Sequence, residues 1–267
     1  MSTFIVSLQH ADLKCSTIRS YSSAITSKNQ LLGFSVSDQV QLQLDQLFRG
    51  IENVATETQG PARVRPAMSS VDILQLCSVL DSMEWSATTR ELTSMYAAVI
   101  FGFLFALRAS SLVAVRHCDI ILQSDKLGFN EIKRKSKSPQ TTRSAYAPLQ
   151  SCVPARTLHK YLTWLLSQHI VPSQSVFGFT SVGSPHRLVG VAIELASNVF
   201  AAEPTDKLTS HCLRRGAAVA MFALGVPIQR ILSWGAWASE DSVRPYIKDR
   251  AWSAALDADK LCFAWML

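Results

Sequence analysis

The sequence predicts a mainly α-helical chain with one small antiparallel β-element, and three features carry that expectation. Residues 88–107 are apolar on every side, as a helix at the centre of a core must be. Five helical patterns follow one another at 154–168, 185–200, 210–224, 227–234 and 239–250. Between these regions, 127–133 and 144–149 read as short strands either side of a basic tip at 135–142, which is the pattern of a hairpin.

The remaining elements follow in chain order. Residues 16–25 (STIRSYSSAI) have a helical pattern opened by Ser16 as N-cap, and 40–51 form a second with Leu42, Leu44, Leu47 and Phe48 partly on one face. Gly60, Pro61 and Pro66 then break regular structure, so this stretch reads as a linker made basic by Arg63 and Arg65. The expected division is a helical segment at 1–58, a linker at 59–68 and a larger domain at 69–267. That domain opens with a helix at 72–83, and a short helix at 110–117 follows the central one. Gly225-Val226-Pro227 closes one helix and starts the next, with proline where a first turn tolerates it.

Bulk properties narrow the function classes. The chain has 267 residues, 48% of them hydrophobic, enough for one large or two modest cores. A net charge of +6 suits a polyanionic partner, and the positives are clustered: Lys133, Arg134, Lys135, Lys137 and Arg143 lie close together, with Arg214, Arg215, Arg230 and Arg244 further on. Six cysteines without a CxxC pair read as free thiols of a reducing compartment rather than as disulfides or a zinc site. The start lacks the basic-then-apolar order of a secretory leader, and the apolar run at 94–107 is too short to span a bilayer. These features predict a soluble intracellular protein that binds neither metal nor membrane.

The chemistry-bearing residues concentrate in the last third. His211 and Arg214 are three apart, and so share a face if the segment is helical. Taken singly, a His-x-x-Arg pair is better explained by surface ion pairing and Tyr246 by partial burial on a helix, and Arg108 is as well explained by compensation of a helix dipole. Taken in order, they form a pattern. Ala106-Leu107-Arg108-Ala109-Ser110-Ser111-Leu112 resembles the Gly-Leu-Arg-x-x-Glu-Leu box of the tyrosine recombinases, the phage-integrase family. His211-Cys212-Leu213-Arg214 resembles their His-x-Leu-Arg box. Gly235-Ala236-Trp237, with Tyr246 nine residues on, resembles the His/Trp box and nucleophile. Ala106 stands for the usual Gly, Ser111 for the usual Glu, and Trp237 for a His that a minority of members replace with Trp. The resemblance runs over about 64–248, with a weaker echo of the family's core-binding domain in STIRSYSSAI.

What the resemblance implies is DNA strand cleavage and rejoining through a 3′-phosphotyrosine, with no metal, nucleotide or other cofactor. The residue types suit that chemistry. Arg108 and Arg214 can fork the non-bridging phosphate oxygens, where a planar guanidinium outperforms lysine. Trp237 can donate its indole N–H to the same phosphate. His211 can act as base and hydrogen-bond donor, and Tyr246 as nucleophile. The resemblance places the acid for the departing 5′ oxygen on a hairpin lysine. Lys137, in Ser136-Lys137-Ser138-Pro139-Gln140, is the first choice and Lys135 the second. Arg63, Arg65, Lys133, Lys135, Arg143 and Arg215 are expected to bind DNA.

The implied partners are double-stranded DNA and further copies of the chain, as a tetramer on two duplexes. The apolar tail 251–267 suits exchange between neighbours as well as packing on its own domain. A lean towards the recombinases of eukaryotic mobile elements would make the protein nuclear. Two rival functions are a type IB topoisomerase-like nicking and sealing activity and a domesticated, catalytically inactive DNA-binding protein. Because residues 1–58 supply fewer helices than the family's core-binding domain, that segment is expected to be a partial one.

Overall fold

A computed structural model describes residues 5, 7, 15–35, 37–59, 66–133, 140–168, 174–179, 183–200, 208–248 and 256–267. At 15–16, 52–59, 132–133, 140–142 and 248 the description is of the backbone alone. The chain divides into two units, Met1–Val64 and Arg65–Leu267.

The first unit contains α1 (Cys15–Leu31) and α2 (Asp38–Gln59), both longer than their sequence patterns indicate. The stop signal for α1 is Gly33, at φ +85°. Its N–H donates to the Gln30 carbonyl and that of Phe34 to the Asn29 carbonyl, the paired bonds of a Schellman ending. Ile5, Ile18, Leu44, Phe48 and Ile51 form a small core, and the Arg19 guanidinium lies over the Phe48 ring.

The second unit is built around α4 (Arg90–Leu104), whose Ala97 to Leu104 are all buried. α3 (Ser70–Ser82) precedes it and starts two residues earlier than its apolar pattern. Ser69 and Asp72 form a capping box there, each side chain accepting the other's backbone N–H. α4 stops at Leu104, although the apolar pattern runs on to Leu107, because Ala106 adopts φ +48°. The bonds Ala106 N–H to Phe103 and Leu107 N–H to Gly102 make this a second Schellman turn, with alanine in the left-handed position.

Past the turn lie α5 (Ala109–Val113) and a 3-10 turn (His117–Asp119), where one helix to 117 was expected. The β-element is an antiparallel sheet in the order β1 (Ile120–Leu122), β2 (Lys126–Lys133), β3 (Gln140–Pro148). The hairpin is therefore present with longer arms, and β1 is an addition too short to show alternation. Glu131 pairs with Arg143, and the register shifts between Glu131 and Ile132. Of the tip expected at 135–142, residues 140–142 belong to β3, while Lys135 and Lys137 lie outside the described residues.

Helices complete the unit: α6 (Val153–Ser167), α7 (Pro185–Ser197), α8 (Cys212–Ala223), α9 (Ile228–Gly235), α10 (Glu240–Lys248) and α11 (Leu256–Phe263). α8 runs hard against the chain at Met68. The Met68 N–H donates to the Cys212 carbonyl, and a Cβ at Gly216 would lie 2.0 Å from the Met68 oxygen. Only glycine permits that approach. The aromatic centre comprises Phe101 edge-on to Phe129, Phe105 stacked on Trp234 and Phe103 beside Phe263.

Of the two placements open to the tail, this structure shows 256–267 packed on its own domain. Phe263 and Met266 are buried, Trp265 meets Trp234 edge-on, and Arg230 donates to the Met266 and Leu267 carbonyls. Buried Asp259 accepts a 2.5 Å hydrogen bond from Ser70 on α3. Among the described residues no helix is long and apolar enough to cross a membrane, and no cluster of metal-ligating side chains is present.

Candidate active site

The C-terminal end of α4 organises the site. A helix ends with carbonyls that have no partner within it, and here three consecutive ones are met by side chains from three other elements. Trp234 Nε1 donates to the Leu104 carbonyl at 2.8 Å, Arg143 Nη2 to Phe105 at 2.6 Å, and Arg214 Nη1 to Ala106 at 2.6 Å. The turn held in this way leads into Arg108, which caps α5 with an extended backbone and an exposed side chain.

Arg214, in the first turn of α8, is buried. Its Nη1 also donates to the Gly235 carbonyl at 2.6 Å, while Nη2 is buried without a hydrogen-bond partner. Gly235 ends α9 in a turn of the same kind as that after α4. Ala236 is left-handed at φ +51°, its N–H bonds to the Ser233 carbonyl and that of Trp237 to Leu232. The chain then folds the Trp237 indole back over Gly235 so closely that a Cβ there would lie 1.7 Å from the ring. The Arg214 guanidinium sits 3.8 Å from the centroid of that indole, a cation–π contact between two buried groups.

Tyr246 follows on α10, half-buried, with its ring centroid 6.2 Å from that of Trp237 and 5.4 Å from the Arg215 guanidinium. Pro245 withdraws an amide from the helix ladder directly before it. His211 stands exposed at the start of α8, its ring 5.3 Å from that of His186. His186 Nδ1 and the Ser210 hydroxyl share a 2.7 Å hydrogen bond.

Electrostatically the site is a concentration of like charge. Burial, reinforced by the charges of Arg108 and Arg143, pushes the Arg214 guanidinium down to about 9, against smaller opposing effects of Tyr246 and Glu131. Arg143 is also lowered, by burial first, while Glu131 raises it and Arg108 lowers it. Three guanidinium groups therefore face one carboxylate, an arrangement suited to receiving an anion.

Of the residues singled out in the sequence, the fold brings Arg108, Arg214, Trp237 and Tyr246 together, with His211 at the start of the helix that carries Arg214. Arg215 is buried against Tyr246 rather than set out on the surface. Arg143, expected to face DNA, is directed inward: Nε pairs with Glu131 at 2.8 Å and Nη2 holds Phe105. Lys133 ends β2, with only its backbone described. Arg63, Arg65, Lys135 and Lys137 lie outside the described residues. The sequence reading missed His186, Glu131 and the space that Gly235 leaves. Glu131 alone left a usable signal, as an acidic residue opposite a basic one once the hairpin register is known.

No protein-family model matches the chain, and no curated protein sequence does. Solved structures do. The Tn1549 transposon integrase in complex with circular-intermediate DNA is similar over 91% of this chain and 78% of its own, at 9% identity and a TM-score of 0.58. The XerA recombinase aligns over 94% of this chain and 93% of its own, at 16% identity and a TM-score of 0.49. For the XerH site-specific recombinase bound to palindromic difH substrate the figures are 70% and 50%, 14% and 0.48, so this chain spans about half the length of that protein. At such identities the likeness is one of fold, and it rests on the transposon integrase together with the helices and three-stranded sheet described above. The chain has the fold of the tyrosine recombinase catalytic domain.

Proposed function

We propose that this protein is a tyrosine recombinase that cleaves and rejoins double-stranded DNA at specific sites. The observation that carries the reading is the convergence of Arg108, Arg214 and Tyr246 on one cluster of positive charge, in which Arg214 keeps a buried, unpaired Nη2. The Tyr246 hydroxyl oxygen attacks the scissile phosphorus, the bond to the 5′ oxygen breaks, and the DNA is left as a 3′-phosphotyrosine. The departing oxygen takes a proton, which we assign to Lys137 on the hairpin tip, and leaves as a free 5′-hydroxyl. Attack by a 5′-hydroxyl reverses the step and frees Tyr246. Charge gathering on the phosphate oxygens is met by guanidinium groups already fixed in place, which is where such sites gain most of their rate. His211 holds or moves the tyrosine proton.

The energy of the broken bond is kept in the phosphotyrosine, so the reaction needs neither nucleotide nor metal. Assembly on DNA as a tetramer, and a nuclear setting in a eukaryotic mobile element, belong to the same proposal. The transposon integrase gives it a parallel, since that protein was solved with DNA of its circular intermediate.

The test is a search for a covalent adduct. Wild-type protein is incubated with a pool of nicked duplexes of randomised sequence, and SDS-resistant complexes are recovered and sequenced. Adduct formation that survives EDTA and disappears in Tyr246→Phe, with binding retained, is the expected result. An adduct on another tyrosine, such as Tyr146 or Tyr161, or strict dependence on magnesium, overturns the proposal.

A further inference from the structure

Arg143 and Glu131 lie outside the set of groups that would touch the phosphate, yet the fold spends a buried ion pair on them at the base of the hairpin. They face each other across β2 and β3, at the point where the register shifts. Both side chains are largely buried, with relative exposures of 8% and 16%, and the Nε to Oε2 distance is 2.8 Å. A pair so placed does little for stability by itself, because desolvation offsets its attraction. Its geometry points to another use.

Arg143 is bidentate towards two different partners. Nε takes Glu131, and Nη2 takes the Phe105 carbonyl at 2.6 Å, one residue before the left-handed Ala106. The next carbonyl in the chain is held by Arg214. Arg143 thus ties the hairpin to the turn that sets the direction of Arg108, and its remaining nitrogen, Nη1, is buried without a partner. With Nε on Glu131 and Nη2 on the Phe105 carbonyl, Arg143 is committed to the hairpin base and the turn.

We infer that Arg143 and Glu131 are a positioning pair for the phosphate-binding arginines. Arg143 fixes the turn before Arg108 and locks the hairpin base to it, while Glu131 is the resident counter-charge of the arginine cluster when no phosphate is bound. The inference rests on the cleavage reading above, and it gives the two residues separable effects. Losing the Arg143 bonds misaligns Arg108 without removing any contact to DNA. Losing the Glu131 charge leaves its hydrogen bond to Nε available from an amide oxygen, but makes the cluster more positive.

The experiment uses full-length protein and a nicked duplex recovered from the pool as a substrate of the wild type. Arg143→Lys cannot reach both partners at once. It should slow adduct formation at saturating DNA by at least about tenfold, since small misplacements of a reacting group cost that much or more. DNA affinity should stay within about twofold, because no transition-state-independent contact is lost. The double variant Arg108→Ala with Arg143→Lys should be no slower than Arg108→Ala alone, since one residue acts through the other. Glu131→Gln, which keeps the acceptor, should bind inorganic phosphate more tightly than wild type, read as a larger rise in melting temperature on titration.

A purely structural pair predicts a lowered melting temperature for Arg143→Lys with an unchanged adduct rate in the folded fraction. That result overturns the inference and leaves the cleavage reading intact. Additive losses in the double variant, or unchanged phosphate binding in Glu131→Gln, also overturn it. Wild-type protein that forms no adduct with any member of the pool overturns the cleavage reading, and this role falls with it.

Discussion

Arg214 is joined to Ala106 by a 2.6 Å hydrogen bond from Nη1 to the carbonyl of a residue in the left-handed region. The same nitrogen bonds the Gly235 carbonyl, one residue before the second left-handed alanine, Ala236. One side chain therefore fastens both turns that present the candidate catalytic groups. Its removal should damage fold and chemistry together. Arg214→Ala leaves two carbonyls without a donor and should cost about 2–6 kcal/mol in urea unfolding, at about 1–3 kcal/mol for each lost partner. Arg214→Lys should recover part of that stability and almost none of the adduct formation, because a point charge cannot hold the turns and fork a phosphate at once. Equal recovery of both would separate the two roles and contradict the arrangement.

The two alanines are themselves open to improvement. A left-handed alanine is strained by its Cβ, and glycine relieves that at some cost in unfolded-state entropy. Ala106→Gly and Ala236→Gly should each raise stability by about 0.5–1 kcal/mol in thermal or urea unfolding. A loss at either position would mean that the backbone there is not held at positive φ in solution.

Uncompensated charge gives a pH signature. Arg214 is pushed down to about 9 by burial and by its cationic neighbours, so below that pH the DNA-free fold carries a charge it would shed more easily than the unfolded chain. For a base with a lowered pKa, the folded state gains relative stability as pH rises through the folded value towards the unfolded one. Inorganic phosphate adds counter-charge beyond that of Glu131 only while the arginine is protonated. The phosphate-induced rise in melting temperature should thus be full near pH 7 and shrink above about 9. A rise that is independent of pH across that range would place the anion elsewhere.

Asp259 provides a second titration, at the tail. Its carboxyl is raised, by burial first and against the lowering effect of the Ser70 hydrogen bond. A raised carboxyl favours the fold in its neutral form, so the contribution is full at acid pH and is lost as pH rises through the folded value. Asp259→Asn keeps an oxygen acceptor for Ser70 without the buried charge. It should melt at or above the wild-type temperature at pH 7 and lose that advantage in acid. A lower melting temperature at pH 7 would show that the carboxylate is needed in its charged form.

The hairpin lysines can be told apart by the leaving group. If Lys137 supplies the proton, Lys137→Ala should be severely slow on normal DNA and close to wild type on a 5′-bridging phosphorothiolate, because a thiolate departs without protonation. Lys133→Ala and Lys135→Ala should weaken binding with a shallower salt dependence and show no such rescue. Rescue of Lys135→Ala instead would move the role by two residues.

Much of the helical frame was legible because burial writes itself into period: the all-round apolar stretch at 88–107 is the buried centre, and Gly225-Val226-Pro227 separates α8 from α9 as read. The ends were less legible. α4 stops three residues before its apolar pattern does because position 106 turns left-handed, and an alanine gives no warning of that. β1 has three residues, too few to alternate. The site residues stood out by order and spacing, yet the inward turn of Arg143 did not, because a basic residue beside a basic tip looks the same whether it faces solvent or Glu131. Partner choice across strands is fixed by register, which no local pattern states.

Gly235 and Trp237 share one volume. The indole occupies the space where a side chain at 235 would begin, so neither position is free to change while the other stays. Among natural variants of this chain, the small residue should be invariant wherever the indole is kept and relaxed only where a narrower ring replaces it. Any attempt to exchange Trp237 for histidine opens a void against the backbone, and the order of substitution then matters: a larger residue at 235 is tolerated after the ring has shrunk and excluded before.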